Sequence, residues 1–366
     1  MKILVQLNHP AHYHLFTNPI NKFRENNHTV LITIREKDVL GKLLKHEKYI
    51  NISHVYRKNN RLSILLNLIK REKKLFNIAK KFKPDIMIGT SPEIAHVGLL
   101  LRIPSIFFGE DDAKLLLAGT SIIYPFANVL VSPKTCDNWV WNYKTIAYDG
   151  YHEIAYLHPG YFRPSLDKIK NDIDIKKPYY ILRFSDLCAW HDKGKKGISG
   201  EIAAKIIEML SPTGNVYITS EKPLAADFET YRIKIDPLDI HHALYYATMF
   251  IGDSQTMASE AGILGTPSIR FNDFVGKIGC MEELEHKYGL TYGITSSEPE
   301  KLFKKIGEFL NYPDIKKEWE KRRLKMFAEK IDVTAFIVWL VENYPGSIKI
   351  MKKDPGYQDK FMSMKT

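Results

Sequence analysis

The sequence predicts an α/β chain of two successive doubly wound domains, each built on a parallel sheet. Three observations lead there. Short apolar segments of strand length alternate with helical stretches over nearly the whole chain, the rhythm of βα units. That rhythm pauses once, in the Pro-, Gly- and charge-rich stretch from Tyr156 to Pro178, which reads as a linker. The 366 residues also exceed what one hydrophobic core usually serves.

In the first half the expected strands are "KILVQL", "TVLITI", "DIMIGT", "SIFFGE", "NVLVSP" and "TIAYDG", with helices starting near Pro19, Lys37, Arg61 and Pro92. After the linker come "YYILRF", "NVYITS", "MFIGD" and "PSIRFN", again with helices between. The charged helix "DIKKEWEKRRLKMFAEK" follows, and Asp332 then opens "VTAFIVWLVENY". Apolar residues nearly encircle that last helix, so it should be buried. The tail after Pro345 has no clear period and reads as either an ordered strap or a frayed end.

Composition narrows the class. Hydrophobic residues make up 45% of the chain, so it is globular. Cys136, Cys188 and Cys280 lie far apart and form no metal-ligand spacing, which suits a reduced, cytoplasmic compartment. The start is too short and polar for a signal peptide, and no run approaches the roughly 20 apolar residues that span a bilayer. Net charge is +11, and the excess is local: between Arg57 and Lys83 stand ten Lys/Arg residues against one acid, Glu72. Leu62, Leu65, Leu66, Ile69, Leu75, Ile78 and Phe82 recur there at helical spacing. The segment 57–83 is therefore an amphipathic helix whose basic face is either merely solvated or a surface for anionic lipid or a phosphate-bearing acceptor. A peripheral position at the inner face of the cell membrane fits the second alternative. No nucleic-acid signature accompanies the charge, so nucleic acid is not an expected partner.

Four constellations stand where strands end, the place at which doubly wound sheets bind ligands. In "MFIGDSQTMASEAGILGTPSI", Gly252 permits a sharp turn, Asp253 or Ser254 can cap a helix, and the backbone N–H groups of its first turn favour an anion such as a diphosphate. Glu260 follows Ser254 by roughly 9 Å of helix axis, a diphosphate-to-ribose step, and its carboxylate can accept from both ribose hydroxyls. Ordinary capping, with Glu260 on the solvent face, is the alternative. In "YILRFSDLCAWHDKGKKGIS", Arg183 ends a strand and the loop beyond carries Ser185 and His191; a structural ion pair and a plain loop histidine are the alternatives. In "NHPAHYH", His9 and His12 can supply a general base. No carboxylate or cysteine stands beside these histidines at a ligand spacing, so no metal is expected. In "FFGEDDAK", Glu110, Asp111 and Asp112 form an acidic knot that either shifts one carboxyl toward neutrality or caps the next helix, with Glu110 and Asp111 favoured.

The run "GDSQTMASEAGILGTPSIR" resembles the nucleotide-binding segment of GT-B glycosyltransferases, the MurG-type GlcNAc transferase among them, and of non-hydrolysing UDP-GlcNAc 2-epimerases. "NHPAHYHLF", "YLHPGYFRP" and "FVGKIGCMEELEHKYGLTYG" are similar to a narrower group, the domain-of-unknown-function 354 family, from the first strand to near Val333. The resemblance implies two Rossmann-like domains facing a central cleft. The N-terminal acceptor domain would cover 1–165, completed by 331–366 through a helix crossing back, and the nucleotide-sugar domain 176–330. It implies that Ser254, Gln255 and Thr256 meet the diphosphate, that Glu260 meets the ribose, and that Arg183 neutralises the leaving group without a metal or other cofactor. A nucleotide-sugar donor and a sugar, lipid-linked or polysaccharide acceptor are the partners so implied. The expected activity is a nucleotide-sugar-dependent glycosyltransferase of cell-surface polysaccharide or glycolipid synthesis. A 2-epimerase-like enzyme and a non-catalytic nucleotide-sugar-binding protein are the alternatives.

Overall fold

The computed structural model describes residues 1–36, 39–53, 61–115, 117–184, 197–220 and 223–362. The chain forms two compact units, one of Met1–Tyr156 with Lys330–Thr366, the other of Leu157–Glu329. The expected edge at residue 165 is corrected: residues 157–165 fold with the second unit. There Phe162 stacks on His242 at 4.9 Å, and the Ser165 amide donates to His242 Nδ1 at 3.2 Å.

The first unit holds seven strands, β1 (Lys2–Leu7), β2 (Thr29–Ile34), β3 (Tyr49–Asn51), β4 (Ile86–Gly89), β5 (Ser105–Phe108), β6 (Val129–Pro133) and β7 (Thr145–Tyr148). All pair in parallel, in the order β3-β2-β1-β4-β5-β6-β7. Central β4 is buried along its whole length, as a strand covered by helices on both faces must be. The chain winds outward in opposite directions from β1 and β4, so the topological switch point lies between their carboxyl ends. The first helix runs Pro10–Glu25 and contains Pro19, so the expected start near Pro19 is corrected. Pro10 occupies the opening turn, where its fixed φ suits a helix and its missing N–H would have had no intrahelical partner.

The second unit holds β8 (Tyr179–Arg183), β9 (Asn215–Thr219), β10 (Met249–Gly252), β11 (Ser268–Phe271) and β12 (Thr291–Ile294), parallel in the order β12-β11-β10-β8-β9. Its switch point lies between β8 and β10. The chain then returns to the first unit, where Val333–Glu342 is buried nearly all round and packs on Pro10–Glu25. Asp332 caps it by accepting from the Ala335 N–H at 2.9 Å. As far as residue 362 the tail is an ordered strap: Gly346–Lys353 is helical, and Gln358 accepts from the Asp149 amide at 2.7 Å.

Candidate functional site

At the first unit's switch point the chain leaves β1 through Asn8 and His9. His9 caps the first helix, its Nδ1 accepting from the Ala11 N–H at 3.3 Å, so the imidazole is held just beyond the carboxyl end of β1. Beyond β4, Thr90 Oγ1 donates to Asn8 Oδ1 at 3.0 Å and lies 2.6 Å from His12 Nδ1. A hydroxyl has one proton to give. With that proton on Asn8, Thr90 accepts from His12 Nδ1–H, and the basic lone pair of the neutral ring is then on Nε2. Beneath them Ser91 donates to Gln6 Oε1, and Gln6 Nε2 is buried without an acceptor among the described residues.

One strand further, β5 runs into Gly109, Glu110 and Asp111. These residues, with His12, Thr90, Tyr124 and His152, line a cavity of about 240 Å³. His152 is buried and its Nδ1 sits 2.9 Å from Glu110 Oε2. Burial opposes ionisation of Glu110, yet the His152 charge and hydrogen bond, helped by His12 and His9, hold its carboxyl well below the usual range. Burial likewise disfavours the His152 cation, but the Glu110 partner outweighs it and raises the imidazole. Asp111 goes the other way: burial, then the Glu110 charge, push it up to about 6. Two adjacent carboxyls thus have opposite tendencies, which is how one site holds a fixed anion and a proton acceptor side by side.

In the second unit Gly252 faces Arg183 across β10 and β8. A Cβ there would stand 2.6 Å from the Arg183 carbonyl oxygen, so the strands approach too closely for a side chain. The Asp253 amide donates to that same carbonyl at 3.1 Å. Ser254 caps the helix Gln255–Ile263, its Oγ accepting from the Met257 N–H at 3.3 Å. Gln255 braces the turn, donating to Asn272 Oδ1 at 2.9 Å and accepting from Arg270 at 3.1 Å. Fully buried Arg270 continues to Glu282 and Glu285, and Asn272 donates to the Asp253 carbonyl at 3.0 Å. The turn is therefore latched from below. The Thr256 carbonyl accepts from Ser259 Oγ within the same helix.

Glu260 is 4% exposed, which removes the solvent-face alternative. Its Oε1 lies 3.0 Å from Nε2 of buried His241, on the neighbouring helix Ile240–Tyr246. Arg183 projects from the end of β8, with Nη1 3.4 Å from Thr219 Oγ1. Ser185 and His191 lie outside the described residues.

The fold thus brings His9, His12, Glu110 and Asp111 together at one sheet end, and Arg183, Gly252, Asp253, Ser254, Gln255 and Thr256 at the other unit's switch point. Sequence reasoning did not find His152 or His241. Neither belongs to a motif, and the carboxylate partner of each is remote in sequence. Among the described residues no group of three or more His, Cys, Asp or Glu is placed to hold a metal ion.

Residues 1–277 match the family described as Protein of unknown function (DUF354), and the chain belongs to it. An uncharacterised protein of Methanocaldococcus jannaschii is 24% identical over 287 residues, 74% of this chain and 81% of its own length. The UDP-GlcNAc 2-epimerase of Neisseria meningitidis, solved bound to UDP-GlcNAc, superposes with a TM-score of 0.62 at 16% identity, covering 94% of this chain and 100% of its own. The calicheamicin glycosyltransferase CalG4 gives 0.61 at 10% identity, with 94% and 98% covered. The glycosyltransferase SsfS6 of a Streptomyces species, complexed with thymidine diphosphate, gives 0.57 at 14%, with 93% and 99% covered. At such identities the likeness is one of fold, and the fold is GT-B.

Proposed function

We propose that this DUF354 member transfers a glycosyl group from a nucleotide-sugar donor to a hydroxyl acceptor, with Asp111 as the general base. The observation that carries this reading is the Asp111 carboxyl, which lines a cavity and is pushed up to about 6 by burial and by Glu110. At neutral pH it is ionised yet more basic than an ordinary aspartate, as a general base should be. In the proposed step the acceptor hydroxyl proton passes to Asp111. The acceptor oxygen bonds to the anomeric carbon as the bond to the nucleoside diphosphate breaks, and the diphosphate leaves with the bonding pair. Glu110, already paired with His152, stays ionised and keeps Asp111 basic.

The donor half of the reading rests on the second unit. First-turn N–H groups after Ser254 suit a diphosphate, Arg183 suits its charge, and Glu260, held by His241, suits a ribose. UDP-GlcNAc and thymidine diphosphate in structures of the same fold support a nucleotide ligand. No metal is assigned to the donor site. A polysaccharide or glycolipid acceptor remains part of the proposal.

Nucleoside diphosphate release from a panel of nucleotide sugars, with and without acceptors, tests it. Acceptor-dependent release that falls by roughly 100-fold or more in Asp111→Asn, with donor binding retained, is the expected result. The opposed tendencies of Glu110 and Asp111 also favour a second reading, epimerisation, which needs two acid–base groups around one sugar. Isomerised sugar appearing without any acceptor would establish that instead. Nucleotide binding without product from any pair would leave a binding protein.

A further inference from the structure

The helix Arg61–Phe82 packs its second half on the hydrophobic core. Leu75 and Ala79 are fully buried, and Ile78 and Phe82 pack against the same core. Toward its start Leu65 and Ile69 are 53% and 49% exposed. Three elements meet beside them at one side chain, His96. Its Nδ1 pairs with Glu72, one turn after Ile69, its Nε2 donates to the Ile122 carbonyl at 2.7 Å, and Phe126 packs edge-on against the ring at 4.9 Å. Leu99 and Leu100, three and four residues beyond His96, share its helix face and are 55% and 70% exposed. Ile122 and Phe126 are exposed as well. The first unit thus carries one continuous apolar patch across Arg61–Phe82, Pro92–Leu101 and the segment around Ile122, larger than scattered surface leucines explain.

Charge says what covers it. Exposed Lys70, Lys73, Lys74, Lys80 and Lys81 project from the same long helix. The acids nearby are spent internally: Glu93 is buried against Arg71 at 2.5 Å, and Glu72 is paired with His96, whose pKa that hydrogen bond raises. An apolar patch beside Lys73, Lys74, Lys80 and Lys81, for which no carboxylate partner stands among the described residues, is the composition of a membrane-surface element. Among the described residues no helix is long and apolar enough to cross a membrane, so contact at the surface is the available mode.

We propose that the first unit docks on an anionic lipid surface through Leu65, Ile69, Leu99, Leu100, Ile122 and Phe126, with the lysines of Arg61–Phe82 meeting the headgroups. This rests on surface geometry and is independent of the transfer chemistry. Flotation of the full chain with vesicles of phosphatidylcholine, with and without phosphatidylglycerol, tests it without any nucleotide. The wild type should float with anionic vesicles and not with neutral ones. Lys73→Ala with Lys74→Ala should weaken binding by about five-fold per lysine. Leu99→Ser with Leu100→Ser should weaken it by roughly ten-fold, with the melting temperature retained. No flotation of the wild type, or equal flotation of both variants, overturns the proposal. A concentration-dependent dimer in sedimentation that the leucine variant abolishes, without vesicle binding, also overturns it and assigns the patch to a second copy of the chain.

Discussion

The role proposed for Asp111 carries a cost in stability. Its native pKa of about 6 lies above the ordinary 3.8, so between those values the folded chain binds a proton that the unfolded chain has lost. Stability is therefore highest below the unfolded pKa and falls as pH rises through about 6. Two pKa units amount to about 3 kcal/mol, and partial exposure brings the expected cost at pH 7 nearer about 2 kcal/mol. Asp111→Asn removes that cost, so the variant should be more stable at pH 7 by about this amount in urea unfolding, and the gain should vanish at pH 4. A loss of stability at both pH values would show that the carboxylate is a structural partner. The same titration sets the rate: a base must be ionised, so kcat/KM for the proposed transfer should rise with pH through about 6 and then level off. A profile flat from pH 5 to 8 would exclude Asp111 as the base.

At the scale of elements, the junction of β8 and β10 decides whether the second unit's sheet can close. Gly252→Ala places a methyl 2.6 Å from the Arg183 carbonyl, against backbone that cannot step aside as a flexible side chain would. A destabilisation of about 1 to 3 kcal/mol is expected by chemical denaturation, with nucleotide binding at the proposed donor site weakened because the Ser254 cap hangs on that turn. Unchanged stability would mean that the two strands can part. This junction was legible in the sequence, since an apolar strand ending in Gly-Asp-Ser before a run of small residues marks both the turn and the helix start. β3 and β12 were not. β3 is three residues at a sheet edge with Tyr49 and Ile50 partly exposed, and β12 carries Gly293 inside "TYGI", so neither shows an apolar run. Proline signals a helix start, and two stand in this segment: Pro10 fills that role, whereas Pro19 is buried mid-helix. The Glu110–Asp111 knot was visible as adjacent carboxylates. The direction in which Glu110 titrates depends on His152, which only the return of the chain after β7 brings near.

For the whole molecule, the C-terminal segment matters more than its position suggests. Val333, Phe336, Ile337, Leu340 and Val341 are fully buried within the first unit. Buried Lys330 pairs with Asp149 at 2.5 Å, and Thr334 donates to the Ala155 carbonyl at 2.7 Å. Burial of five large apolar side chains is worth about 1.5 to 3 kcal/mol each, about 10 kcal/mol together, which equals the whole stability of a typical domain. A chain ending at Glu329 should therefore lack a folded first unit, its helix Pro10–Glu25 having lost the partner that covers it. The second unit draws every residue from 157–329, so its sheet and the latch under Ser254 do not depend on that segment. Calorimetry of the truncated chain should show one surviving transition, matched by that of residues 157–329 expressed alone and raised by any nucleotide the intact chain binds. At a hundred times the dissociation constant the ligand adds about 2.7 kcal/mol, enough to identify which unit responds. If the truncated chain keeps the transition of the first unit, the crossing helix is an ornament of that core. If the nucleotide response disappears with the segment although the second unit still melts cooperatively, the donor site needs the first unit as well.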